Sequence, residues 1–227
     1  MKTELVVARY RENLNWLRNT PREIEKIVYD KSGEPFSLSS PDEFRHVALP
    51  NIGREAHSYL HHIVENYDSL ADITVFAQGK PFDHAFDFHQ TLRQIAREGF
   101  SQDFRWLGHI IDTDTHDGSR LFATWSKNQG HERLDLDGFH RALFGCDGPT
   151  EYTFVLGGQF VVSKTKLLSR PLDFWRNALH VAQSFPDAAH CYERSWDKVF
   201  ATVGISPQFL AGRKTVYLKP IREKSHN

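Results

Sequence analysis

With 227 residues, 40% of them hydrophobic and 13% aromatic, the chain carries enough apolar material for one sizeable core. A formal charge of −1 leaves no global field to recruit nucleic acid or an anionic membrane. Two cysteines, Cys146 and Cys191, are too few for a disulfide-built scaffold or a four-thiolate zinc site, and reduced thiols are expected.

Met1 leads directly into Leu5, Val6, Val7 and Ala8, a short apolar run that reads as a fully buried strand. No leader-like apolar segment precedes it, and no stretch approaches the roughly 20 apolar residues of a membrane helix, so a soluble, cytoplasmic protein is expected. Arg9 and Tyr10 lie just past the strand, at the edge where open α/β sheets keep their ligands. Asn15 to Leu17 reads as a short helix and Glu25 to Tyr29 as a second strand, closed by the turn residues Asp30 to Gly33. Residues 34–50, with Pro35, Pro41 and Pro50, read as a loop.

Ala56, Tyr59, Leu60, Ile63, Val64 and Tyr67 then form an apolar stripe at helical period. Asp72 to Phe76 is the next buried strand, Gln78 to His84 its exit loop, and Phe88, Leu92, Ile95 and Ala96 stripe another helix. This alternation predicts a single α/β domain with a mostly parallel central sheet flanked by helices. Between about 100 and 150 the pattern weakens, and an irregular insertion is expected. Tyr152 to Leu156 and Phe160 to Val162 read as strands separated by Gly157 and Gly158. Helices striped by Trp175, Ala178, Leu179 and Ala182, and by Tyr192, Trp196, Val199 and Phe200, complete the core; a basic tail frayed from about 220 ends the chain.

Several clusters carry chemistry. Asn51, Gly53, Arg54 and Glu55 open the striped helix, where free N–H groups and the dipole favour an anion and Arg54 suits phosphate; an ordinary Asn cap with a charged first turn explains them as well. His57, His61 and Glu65 share a helix face with metal-ligand spacing, or with the spacing of a solvated polar face. Asp112 and Asp114, with His116 and Asp117 following, resemble the Asp-x-Asp pair that lets a hard cation bridge carboxylate and diphosphate. Asp83, His84 and His89 flank a strand exit, where Gln78 and Gly79 can also bind a polar group; turn residues chosen for conformation are the competing reading. Glu193 stands beside Tyr192 and Trp196, aromatics able to desolvate it and raise its pKa as a general base requires, although Arg194 next to it offers a structural pair instead.

The segments Val6 to Tyr10 with Glu12 and Trp16, Tyr29 to Lys31, Asn51 with Gly53 to Glu55, Tyr59 with Leu60, Asn66 with Tyr67, and Val75 with Phe76 before Gly79 together resemble the domain-of-unknown-function family 3431. Gln159 to Ser163, Arg170 with Pro171, and Glu193 with Trp196 and Phe200 are similar to its C-terminal half. That family resembles divergent glycosyltransferases of the GT-A, nucleotide-diphospho-sugar transferase-like kind. The resemblance implies a nucleotide-sugar donor near Arg9, Tyr10, Asn51, Gly53, Arg54, Glu55, Gln78 and Gly79, and a hydroxyl-bearing acceptor near Gly158, Gln159, Phe160 and Trp196. It also implies Glu193 as the base of an inverting displacement. Relatives carry a metal-binding Asp-x-Asp at the exit where this chain has Gln78 and Gly79, so manganese or magnesium would fall to Asp83, His84, Asp112 or Asp114. A histidine-based metal-dependent hydrolase and a non-catalytic carbohydrate-binding domain are the rival readings.

Overall fold

The computed structural model describes residues 1–34, 44–125 and 132–218. The expected loop prolines Pro35 and Pro41 and the tail from about 220 lie outside these residues. The first strands form as their apolar runs dictate: β1 (Thr3–Arg9), β2 (Ile24–Asp30), β3 (Arg45–Ala48) and β4 (Ile73–Gln78). With β5 (Phe104–Trp106) and β8 (Phe160–Ser163) they make a six-stranded sheet of order β3-β2-β1-β4-β8-β5. β3, β2, β1 and β4 are parallel, while β8 is antiparallel to both β4 and β5. The central sheet is thus mostly parallel, with β8 reversed.

β1 is buried along its whole length because helices cover both faces of the sheet. On one face Val6, Tyr29, Phe76 and Phe160 join a core with α1 (Arg54–Glu65), α5 (Leu172–Ser184) and α6 (Ala188–Val199). On the other, Leu5, Val7, Val28 and Val75 pack against Phe88, Leu92 and Ile95 of α2 (Phe88–Glu98). Among the described residues, no helix is long and apolar enough to cross a membrane.

Two expectations are corrected. The stretch 34–50 contains β3, a four-residue strand of Arg45, His46, Val47 and Ala48 that is mostly exposed and too short to show a strand pattern. The supposed irregular insertion is regular: it holds β5, β6 (Ile110–Thr115), α3 (Leu136–Phe144) and the start of β7 (Glu151–Val155). β6 pairs antiparallel with β7 and with β9 (Thr215–Tyr217), forming a second sheet of order β7-β6-β9. The strands on either side of Gly157 and Gly158 therefore belong to different sheets. These glycines make the switch at φ 97° and 56°, the left-handed region that side chains other than glycine avoid.

The order around β1 fixes where a ligand can bind. From β1 the chain proceeds outward to β2 and β3, then returns to the other side of β1 as β4. The connections leaving β1 and β4 diverge, and a crevice opens at their carboxyl ends.

Phe160 holds this arrangement from within. Its ring lies 5.2 Å from that of Phe76 and 5.0 Å from both Trp196 and Phe200. Phe160→Ala is expected to cost about 3–5 kcal/mol of stability, measured by chemical denaturation.

Candidate functional site

A cleft of about 540 Å³ occupies the crevice, lined from the β1 and β4 exits, the start of α1, the 121–125 turn and α6. Its first wall is built by charge. Arg9 and Asp30 face each other in the β1–β2 register, and the Arg9 guanidinium donates to Asp30 at 2.8 Å, to Ser32 at 3.0 Å and to the Glu12 carbonyl at 3.0 Å. Arg9 lines the cleft, but its charge is matched by a buried carboxylate. Glu12 accepts the Tyr10 amide at 2.7 Å and stands where a Cβ on Gly79 would lie only 2.6 Å from its oxygen. Trp16 donates to the Gly79 carbonyl at 2.9 Å, tying the β1 and β4 exits together. Gln78 faces the cleft beside them.

The second wall is the N-terminus of α1. Gly53, at φ 58°, is its cap residue, and no side chain caps the helix. Asn51 is therefore not the cap expected as the alternative reading; it is exposed at the cleft margin. A Cβ on Gly53 would meet the Ala182 carbonyl at 2.3 Å, so glycine is required for α1 to dock on α5. The next residue, Arg54, is also left-handed at φ 46°. Buried Lys31 donates to the carbonyls of Ile52 (2.6 Å) and Arg54, pinning this turn, and burial pushes its ammonium pKa down to about 8. Arg54 bonds the His190 ring at 3.0 Å. Burial, reinforced by the Arg54 and Arg194 cations, pushes the His190 pKa down to about 3, so a neutral ring accepts from the guanidinium.

Glu55 and Glu193 bring carboxyl groups into the cleft. Burial raises the pKa of Glu55, opposed by the Arg54 cation and reinforced by Glu193. Glu193 accepts the Gly157 amide at 2.7 Å, and its other oxygen is 3.6 Å from Arg194. Arg194 is committed elsewhere: it donates to Asp114 at 2.9 Å through Nε and sits 2.8 Å from it through Nη2. Asp114 also accepts the amides of Leu121 (2.9 Å) and Phe122 (3.1 Å). This mounts Phe122 and Trp125 against His190, at ring separations of 5.0 and 5.7 Å.

The metal expectations are corrected on these contacts. Asp114 is spent on Arg194 and turn amides, and Asp112 on Arg120 and Thr215. Asp83 pairs with Lys80 at 3.0 Å on the surface, and the His84 ring packs against Gly157, with its pKa lowered by burial. His57 is not on a solvated face; it is buried beside Gln183 at 3.2 Å, and burial lowers its pKa to about 4. Among the described residues, no three His, Cys, Asp or Glu side chains converge to hold a metal ion.

The acceptor-side expectation is corrected in part. Phe160 and Trp196 belong to the aromatic core, and Gln159 is buried with its amide donating to the Pro81 carbonyl at 3.1 Å. Gly158 adjoins the Glu55 carboxyl group: a Cβ there would lie 3.5 Å from Trp196 Nε1 and 3.9 Å from Glu55 Oε1. Conversely, Lys31, His190, Phe122 and Trp125 line the cleft although sequence reasoning gave them no role. Only Lys31 left a signal, as part of the Tyr29 to Lys31 segment that carries the family resemblance.

A larger hollow of about 730 Å³ lies at the amino ends of β1 and β2, lined by Lys2, Glu4, Arg22 and Arg45 among others. It sits at the opposite end of the strands from the switch point, and Lys2 there pairs with Glu4 at 2.8 Å and Glu25 at 3.1 Å.

The sequence matches the family described as protein of unknown function (DUF3431) over residues 5–211. The chain belongs to that family. A solved structure of CMP:2-keto-3-deoxy-manno-octonic acid synthetase complexed with CTP is similar to this DUF3431 chain at 11% identity and a TM-score of 0.37, covering 87% of this chain and 86% of that one. No curated protein matches the sequence.

Burial of two neutral histidines gives a pH signature. His57 and His190 hold pKa values of about 4 and about 3 in the fold, against about 6.5 when unfolded. Below that unfolded value the unfolded chain binds protons that the folded chain refuses, so stability falls as pH drops from about 6.5 toward 4. The His57→Gln/His190→Gln double variant is expected to flatten this slope, followed by urea denaturation at a series of pH values.

Proposed function

We propose that this DUF3431 protein is a nucleotide-sugar-dependent glycosyltransferase that moves a sugar to a hydroxyl acceptor with inversion. The observation that carries the reading is a carboxylate from α6, Glu193, lining a cleft at the switch point of a mostly parallel sheet. Switch-point crevices are where open α/β sheets bind nucleotides, and a positioned carboxylate is what direct displacement by a hydroxyl requires. The resemblance to GT-A enzymes agrees with both.

The roles follow from the chemistry of each wall. The start of α1 offers Arg54 and uncapped amides to a diphosphate, with Lys31 behind them. Negative charge that builds on the leaving diphosphate as the glycosidic bond breaks is stabilised there. The Gly157 amide holds one oxygen of Glu193, leaving the carboxylate oriented to take the acceptor's proton. Phe122 and Trp125 close the side of the cleft next to α6, restricting water near the reacting carbon. Asp112 and Asp114, considered from sequence as ligands of a divalent cation, are spent on Arg120 and Arg194 and take no part in these steps.

Glu193→Gln is expected to lower turnover of the cognate sugar nucleotide by about 10²–10⁴-fold with donor affinity unchanged. Arg54→Ala should instead weaken nucleoside diphosphate binding by about 10–100-fold, as expected for a lost charge-assisted contact. Calorimetric titration with a panel of sugar nucleotides, combined with donor hydrolysis assays, checks both. Absence of binding to every sugar nucleotide would sink the proposal.

A further inference from the structure

Two of the carboxyl groups that line the cleft, Glu55 and Glu193, approach one turn from different elements. Glu193 arrives from α6 and bonds the Gly157 amide at 2.7 Å. Glu55 arrives from α1, and its Oε1 lies 3.9 Å from where a Cβ on the next residue, Gly158, would stand. The other oxygen of Glu193 stands 3.6 Å from Arg194. Glu55 has lost most of its water; its own helix presents Arg54, whose Nε is 3.8 Å away, and buried Tyr59. Around it stand Lys31 from the β2 exit, His84 from the 81–84 turn, and His190 and Glu193 from α6. His190 is neutral, so it supplies no compensating cation.

We infer that Glu55 is the proton donor of the cleft, a carboxylic acid that protonates the departing diphosphate while Glu193 accepts the proton of the incoming hydroxyl. This rests on the sugar-transfer reading above and adds to it a second catalytic group. Two carboxyl groups whose surroundings separate their proton affinities are suited to acid and base roles in one reaction. Burial and the neighbouring Glu193 raise the proton affinity of Glu55, with Arg54, the residue's own backbone amide and Lys31 opposing. The step balances. The acceptor oxygen bonds to the anomeric carbon and its proton passes to Glu193. The bond from that carbon to the diphosphate oxygen breaks, its electron pair stays on the oxygen, and the oxygen takes the proton of Glu55. Exchange with solvent then returns Glu193 to its ionised form and Glu55 to its acid form.

Two measurements on the full chain test this. Glutamate carboxyl carbons labelled with ¹³C are titrated by NMR, with Glu55→Gln used to assign the resonance. Glu55 is expected to titrate above the exposed glutamates and to move downward in Glu193→Gln. The pH dependence of turnover is then compared between the parent and Glu55→Gln, a near-isosteric change whose fold is checked by circular dichroism. Glu55→Gln is expected to lose about 10²-fold or more of its rate with a sugar nucleotide and to lose the alkaline limb of the profile. A 2,4-dinitrophenyl glycoside, whose leaving group needs no proton, should restore the rate in Glu55→Gln but not in Glu193→Gln. The inference is overturned if Glu55 titrates with the exposed glutamates and ignores Glu193→Gln, or if Glu55→Gln keeps the parent pH profile. Coupled titration without turnover of any sugar nucleotide would overturn the sugar-transfer reading and the proton-donor step with it, while upholding the coupled carboxyl pair.

Discussion

The buried pair between Arg194 and Asp114 is the contact on which the cleft depends. Both side chains are almost wholly removed from solvent, at 3% and 0% exposure. Such a pair repays its desolvation only when the remaining hydrogen-bonding capacity is also used. Here it is: Asp114 takes turn amides as well as the guanidinium, and Arg194 adds a bond to the His190 carbonyl at 2.9 Å. The guanidinium also lies 4.8 Å from the centre of the Phe154 ring, a cation–π contact strengthened by the absence of water. One pair thereby joins α6, the second sheet and the 121–125 turn, and Glu193 inherits its position as the preceding residue on the same helix.

Charge in the cleft is arranged so that fixed pairs shape it and other groups face it. Arg9 and Asp30 hold the β1 and β2 exits together. Lys31 is directed at backbone carbonyls, which fixes the left-handed turn at Gly53 and Arg54. A non-glycine residue held at positive φ carries strain, and it persists only where its surroundings enforce it. At Arg54 the enforcing contacts are the Lys31 ammonium below and the His190 ring ahead. The guanidinium is thus presented at the cleft by a turn that these contacts fix.

Much of this was legible in the sequence because strong periodicity and buried strands leave local marks. The α1 stripe, the run of β1 and the terminal helices were readable for that reason, and the alternation of strand and helix implied the mostly parallel sheet. β3 was not, since a four-residue, mostly exposed edge strand has no distinctive pattern. The second sheet was missed because β6 spends its middle on the buried polar residues Asp112, Thr113 and Asp114, of which the two aspartates are satisfied by partners distant in sequence. The same blindness made that pair look like metal ligands. An Asp-x-Asp motif and two structural aspartates on one strand are identical in sequence, and only the positions of Arg120 and Arg194 separate them. Phe160 and Trp196, which the resemblance implied for the acceptor side, lie in the core that the strand run and the helix stripe already indicated.

The turn at Gly157 and Gly158 joins fold and site in one device. The chain must leave β7 in one sheet and enter β8 in the other, which demands two successive left-handed residues. Adding a Cβ at Gly157 would drive it to within 2.5 Å of the His84 ring, so the close packing of this switch against the β4 exit also requires glycine. The backbone that makes the switch has its Gly157 amide free of the strand ladders, and that amide is what Glu193 accepts. Glu55 closes on the neighbouring glycine from the opposite wall. The meeting of the two sheets thus supplies the point on which both carboxyl groups converge, so the cleft's chemistry is set by topology as much as by residue choice.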